Sequence, residues 1–92
     1  MKLTISKEGN TYKIKGNLIR ISVHQFQNEL TNVFAFAENI ILDIKEMKNI
    51  DSYGINAIAK LHNEAITKNK KLTVVGFGNS ELFNHFKTIK VA

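Results

Sequence analysis

The chain contains no cysteine, no proline and no tryptophan in 92 residues. Without cysteine there is neither a disulfide framework nor a thiolate metal site, so packing and hydrogen bonding must hold the fold. Without proline, changes of direction fall to glycine and asparagine, at Gly9-Asn10, Gly16-Asn17, Gly54 and Gly76 to Gly78. There is no Ser/Gly linker, repeat or low-complexity stretch. Apolar runs stop well short of the roughly 18 residues a membrane span requires. The N-terminal M-K-L-T-I-S-K-E-G-N lacks the apolar core of a signal peptide, so a cytoplasmic location is expected.

Arginine is nearly absent too. The formal charge of +5 comes from 13 basic against 8 acidic residues, and Arg20 is the sole arginine. Base reading leans on the planar arginine fork, and of the lysines only Lys68, Lys70 and Lys71 cluster, as a solvated helix end would. Nucleic acid is therefore not the expected partner. His24, His62 and His85 are too scattered for a metal site. Gly76-Phe77-Gly78-Asn79-Ser80 lacks the third glycine and the lysine of a phosphate-cradling loop. No His-Ser-acid grouping can be argued. No cofactor, metal or catalytic role is expected, and the chain reads as a binding protein rather than an enzyme.

What is present suffices for one small domain, residues 1–92, with 43% hydrophobic content. A core of this size leaves a net stability on the order of 5–10 kcal/mol. Leu3 and Ile5, then Tyr12 and Ile14, alternate with polar residues around Glu8-Gly9-Asn10, which predicts an antiparallel hairpin. Val23, Phe26, Leu30, Val33, Phe34 and Ala37 have helical spacing behind Ser22 as cap. Ile40 to Ile44 is a strand-like apolar run. A short polar connection leads to a helix from about Ser52 to Asn69, with Ile55, Ile58, Ala59, His62, Ala65 and Ile66 on one face. Leu72 to Val75 is the next strand. Strand, helix, strand predicts parallel pairing through a crossover. Ser80 to Phe86 reads as a short capped helix and Thr88 to Ala92 as an edge strand. The fold class is α/β, a mixed sheet of four to five strands with helices mainly on one face.

Asp51-Ser52-Tyr53-Gly54 stands where strand gives way to helix. Ser52 at a helix start suits an N-cap, and that end also tolerates a phosphate, because unpaired N–H groups give it a partial positive charge. Asp51 can serve as a second capping or turn-forming acid. Gly54 fits close backbone approach or turn geometry. Tyr53 in the first turn reads as a half-exposed amphipathic ring.

The apolar strand, the D-S-x-G tetrapeptide, the amphipathic helix and the second strand Leu72 to Val75 resemble the STAS domain family, the fold of bacterial anti-sigma-factor antagonists. The resemblance runs from the Leu3 to Ile14 hairpin to Phe83 and Phe86, and is strongest between Ile40 and Phe77. It implies a regulatory protein that is phosphorylated on Ser52. When unphosphorylated it binds an anti-sigma factor with serine-kinase activity, through Asp51, Ser52, Tyr53, Gly54, Asn56 and the exposed side of the helix. The alternative within the family is a constitutive subunit of a transport or signalling assembly, with Ser52 only a cap. A nucleotide or lipid-headgroup binder using the same helix terminus is a third reading. The chain departs from the pattern at Tyr53, where members often carry a small hydroxyl residue, and at Ile19, where antagonists commonly have an acid.

Overall fold

Strands β1 (Leu3–Glu8) and β2 (Thr11–Leu18) form the expected antiparallel hairpin, with Ile5 opposite Ile14, in a computed structural model that describes residues 3–76. Gly9 closes the turn at φ 61, in the left-handed region that glycine enters without a Cβ penalty. Gly16-Asn17, read from the sequence as a turn, lies inside β2. Gly16 has φ 90, and the register of pairing slips between it and Asn17. The positive φ of Gly16 breaks the alternation of β2, and Asn17 and Leu18 are both buried, while the partner strand skips Lys48 in the pairing.

The expected single helix from Val23 to Ala37 is two pieces, α1 (Val23–Glu29) and α2 (Val33–Phe36). Asn32 takes a left-handed φ of 59 between them, and the Thr31 hydroxyl donates back to the Gln27 carbonyl at 2.8 Å. Short polar side chains that compete for the backbone end a helix in this way. The apolar stripe survives the break, with Phe26, Leu30, Val33 and Phe34 all buried. Ser22 precedes α1 but does not cap it through its side chain. Its hydroxyl donates to the Asn17 carbonyl at 2.7 Å and accepts from the Ile19 amide at 3.0 Å, tying the β2–α1 loop together.

Strand β3 (Asn39–Asp43) lies parallel to and beside β5 (Lys71–Val75), with Ile40 opposite Leu72 and Leu42 opposite Val74. The connection between β3 and the following helix holds a strand that the sequence reading missed, β4 (Met47–Ile50), parallel to the end of β2. Four residues with a polar middle give no periodic signal, and Asn49 instead bonds Asn17 side chain to side chain at 2.9 Å. The sheet has five strands in the order β1-β2-β3-β5, with β4 on β2. It is the mixed sheet expected, and the helices pack on the face formed by Leu3, Ile14, Leu18, Ile40 and Leu42.

Helix α3 (Ser52–Thr67) buries Gly54, Ile55, Ala57, Ile58, Leu61 and Ala65. The buried face is rotated from the expected one: Leu61 belongs to it, while Ile66 is 63% exposed and Ala59 and His62 are half-buried. At its end Asn69 has φ 62, and the Lys70 amide bonds the Ala65 carbonyl at 2.7 Å and the Asn69 amide that of Ile66 at 3.1 Å. Asparagine supplies the left-handed residue that more often is glycine. Two of the clustered lysines there are paired, Lys68 to Glu64 at 3.1 Å and Lys70 to Glu38 at 2.9 Å. The helix expected over 80–86 and the strand over 88–92 lie outside the described residues.

Candidate functional site

The C-terminal ends of β2 and β4 bring their chains to the start of α3. The Asp51 amide donates to the Leu18 carbonyl at 3.4 Å, and Asp51 itself is extended, at φ −114 and ψ −174. This sets its carboxylate over the first turn. One oxygen accepts from the Gly54 amide at 3.0 Å and the other from the Arg20 amide at 2.9 Å. Asp51, not Ser52, is therefore the N-cap, and the role first expected of the serine belongs to its neighbour. An aspartate with extended dihedrals is as good a cap as serine, and here it also ties the β2–α1 loop to the helix. Partial burial alone would raise the Asp51 pKa. The amides of Gly54, Arg20 and Tyr53 favour the charged form more strongly, and hold it below the ordinary carboxylate value.

Ser52 is the first helical residue and is exposed. Among the described residues nothing hydrogen-bonds its hydroxyl, since the capping bond it could have made is made by Asp51. Tyr53 is 51% exposed, and the Arg20 guanidinium lies over its ring, 5.7 Å from the centroid. Gly54 is buried with ordinary helical dihedrals, so turn geometry is not its role. A Cβ there would collide with the Leu18 carbonyl oxygen and lie 2.8 Å from the Ile50 side chain. The glycine lets the helix start against the ends of β2 and β4.

Asn56 is exposed one turn on, and with Tyr53, Val23, Gln27, Lys60 and Asn63 it lines an open groove of about 490 Å³ between α1 and α3. The structure thus brings together Asp51, Ser52, Tyr53, Gly54 and Asn56. Three of them (Ser52, Tyr53 and Asn56) present side chains to solvent, while Asp51 and Gly54 hold the scaffold. Arg20 was not singled out from the sequence as a site residue. Its one signal there is that it is the sole arginine, and its place beside Asp51 and Tyr53 depends on a contact across 31 positions. Among the described residues no group of His, Cys, Asp and Glu could hold a metal ion, and no helix is long and apolar enough to cross a membrane.

The family model of the STAS domain matches residues 2–87, and the chain belongs to that family. The structure of the anti-sigma factor antagonist SpoIIAA in its unphosphorylated form matches at a TM-score of 0.72 and 16% identity, over 99% of this chain and 84% of that one. An uncharacterised protein of the DUF3478 family from Shewanella loihica PV-4, with a SpoIIAA-like fold, matches at 0.55 and 18% identity, over 87% of this chain and 69% of that one. The protein Mglu matches at 0.61 and 16% identity, over 77% of this chain and 18% of that one. At these identities the likenesses show the fold. No curated protein matches the sequence.

Proposed function

We propose that this chain is an anti-sigma-factor antagonist-like regulatory protein, switched by phosphorylation of Ser52. It acts in the cytoplasm, and its partner when unphosphorylated is an anti-sigma factor with serine-kinase activity. The observation that carries this reading is the division of labour at the start of α3: Asp51 caps, and the adjoining Ser52 hydroxyl is exposed and, among the described residues, unengaged. A serine whose hydroxyl capped the helix would have to give up that bond on modification. Ser52 does not. Its Oγ can attack the γ-phosphorus of a nucleoside triphosphate held by the kinase. The bond to the β-phosphate oxygen breaks, the nucleoside diphosphate leaves and the hydroxyl proton goes to a base of the kinase.

The product carries nearly two added negative charges beside the Asp51 carboxylate. The fold tolerates them, because the helix terminus is favourable to anions and the site faces water. A docked partner does not, since the charge must be desolvated in the contact or repelled by it. A loss of about 2 kcal/mol corresponds to about thirtyfold in affinity.

The test is binding to an anti-sigma kinase from the same genome by the wild type, Ser52→Ala and Ser52→Asp. Wild type and Ser52→Ala are expected to bind alike, and Ser52→Asp to lose most of its affinity. Equal binding by all three, with no phosphate incorporated, would place the chain among constitutive STAS subunits.

A further inference from the structure

Arg20 is held at both ends around Ser52. Its amide donates to the Asp51 carboxylate at 2.9 Å, and its guanidinium lies 5.7 Å from the centroid of the Tyr53 ring. Asp51 and Tyr53 are the residues immediately before and after Ser52. The side chain therefore leaves from one neighbour of the serine and ends on the other. The Arg20 hydrogen bond to Asp51 is through the main chain, so it persists whatever the side chain does. Among the described residues the guanidinium itself is held by an exposed ring alone, a weak attachment. Beside it Ile21 is 83% exposed, so the loop presents a cation and an aliphatic residue next to the tyrosine.

We propose that Arg20 responds to the charge of Ser52: a phosphate on Ser52 draws the guanidinium off the Tyr53 ring and onto its oxygens, uncovering the ring. This rests on the reading of Ser52 as the modified residue. A two-pronged guanidinium–phosphate pair is charge-assisted and geometrically matched, and outcompetes a cation over an exposed ring. With Asp51 already ionised the guanidinium lies over the Tyr53 ring, and the pull of that carboxylate is the same before and after modification, so the phosphate supplies the change. Modification thereby does more than add charge. It exchanges a covered tyrosine with a free cation above it for a bare ring beside a neutralised arginine, which remodels the surface made by Arg20, Ile21 and Tyr53. Arg20 is a positioning residue in this scheme, and Tyr53 is the face it covers.

The experiment uses the full chain carrying phosphoserine installed at position 52 during synthesis, so no kinase is needed, and compares it with its Arg20→Gln form. Phosphorus NMR titration reads the second ionisation of the phosphate, about pH 6 in a free phosphoserine. With Arg20 present it is expected to be lower than in Arg20→Gln by at least ~0.3 unit, since a paired cation favours the dianion and Asp51 acts equally on both. Proton NMR reads the Arg20 δ-methylene, shifted upfield by the Tyr53 ring in the unmodified chain; the shift is expected to disappear on phosphorylation, and to be absent from Tyr53→Leu in either state. Equal ionisation in the two forms, or an upfield shift that survives phosphorylation, would overturn the proposal. Because Arg20 is exposed, Arg20→Gln keeps the fold, and its unchanged melting temperature checks that. Should cells never phosphorylate Ser52, the regulatory reading fails while the response of Arg20 is still measured.

Discussion

Replacing Asp51 and Ser52 one at a time separates the cap from the switch. The Asp51 carboxylate makes two bonds to amides, to Gly54 within the helix and to Arg20 in the loop before α1. Loss of a cap costs typically about 1 kcal/mol, and loss of the charge-assisted Arg20 bond, partly compensated by water, about 1 kcal/mol more. Asp51→Ala should therefore destabilise by about 2 kcal/mol. For a domain of this size that lowers Tm by roughly 8–16 °C. Asp51→Asn keeps a capping oxygen but turns an NH2 group toward the Arg20 amide, so it should lose about half as much. Ser52→Ala removes a hydroxyl that bonds nothing among the described residues, and should stay within about 0.5 kcal/mol of wild type. Urea denaturation and thermal melts of the four proteins read these differences. A large loss in Ser52→Ala with none in Asp51→Ala would refute the assignment of the cap, and with it the argument that the serine is free to be modified.

Three further outcomes follow from the same geometry. The Asp51 pKa is depressed below its ordinary 3.8, so its stabilisation is fully present above that value and is lost as pH falls through the lower folded value; the stability gap between wild type and Asp51→Asn should narrow toward pH 2, and a constant gap in urea titrations would contradict this. Gly54→Ala, which in an open helix would stabilise by up to about 1 kcal/mol, should instead destabilise by about 1–3 kcal/mol because the added methyl meets the Leu18 carbonyl oxygen, as thermal melts will read. Phe26→Ala, at a side chain 1% exposed in the middle of the α1 face, should cost about 3–5 kcal/mol in urea denaturation.

The parts of the fold legible in the sequence are those with a period. The β1–β2 hairpin alternates, β3 and β5 are apolar runs of strand length, and α3 spans more than four turns, so each declared itself without tertiary information. What failed was decided by contacts. Gly16-Asn17 has the composition of a turn but continues β2, because β4 pairs with both residues and skips its own Lys48 between them. β4 was invisible because four residues cannot show a period and its two middle side chains are exposed. The helix over 23–37 broke at Asn32, whose left-handed backbone no apolar spacing foretells. The α3 face was misjudged because Leu61 and Ile66 are both apolar and five positions apart, and only packing decides which is buried. At the site, placement at the helix start was readable, whereas the choice between Asp51 and Ser52 as cap turned on backbone dihedrals, and Arg20 arrived from a distant loop.

The most direct measurement is to incubate the purified chain with an anti-sigma kinase of its own genome and nucleoside triphosphate, map the phosphate by mass spectrometry, and titrate the kinase with the chain before and after. Incorporation at Ser52 alone, with affinity falling about thirtyfold or more, is the predicted result. Absence of phosphate at Ser52, or affinity unchanged once it is there, would contradict the switch.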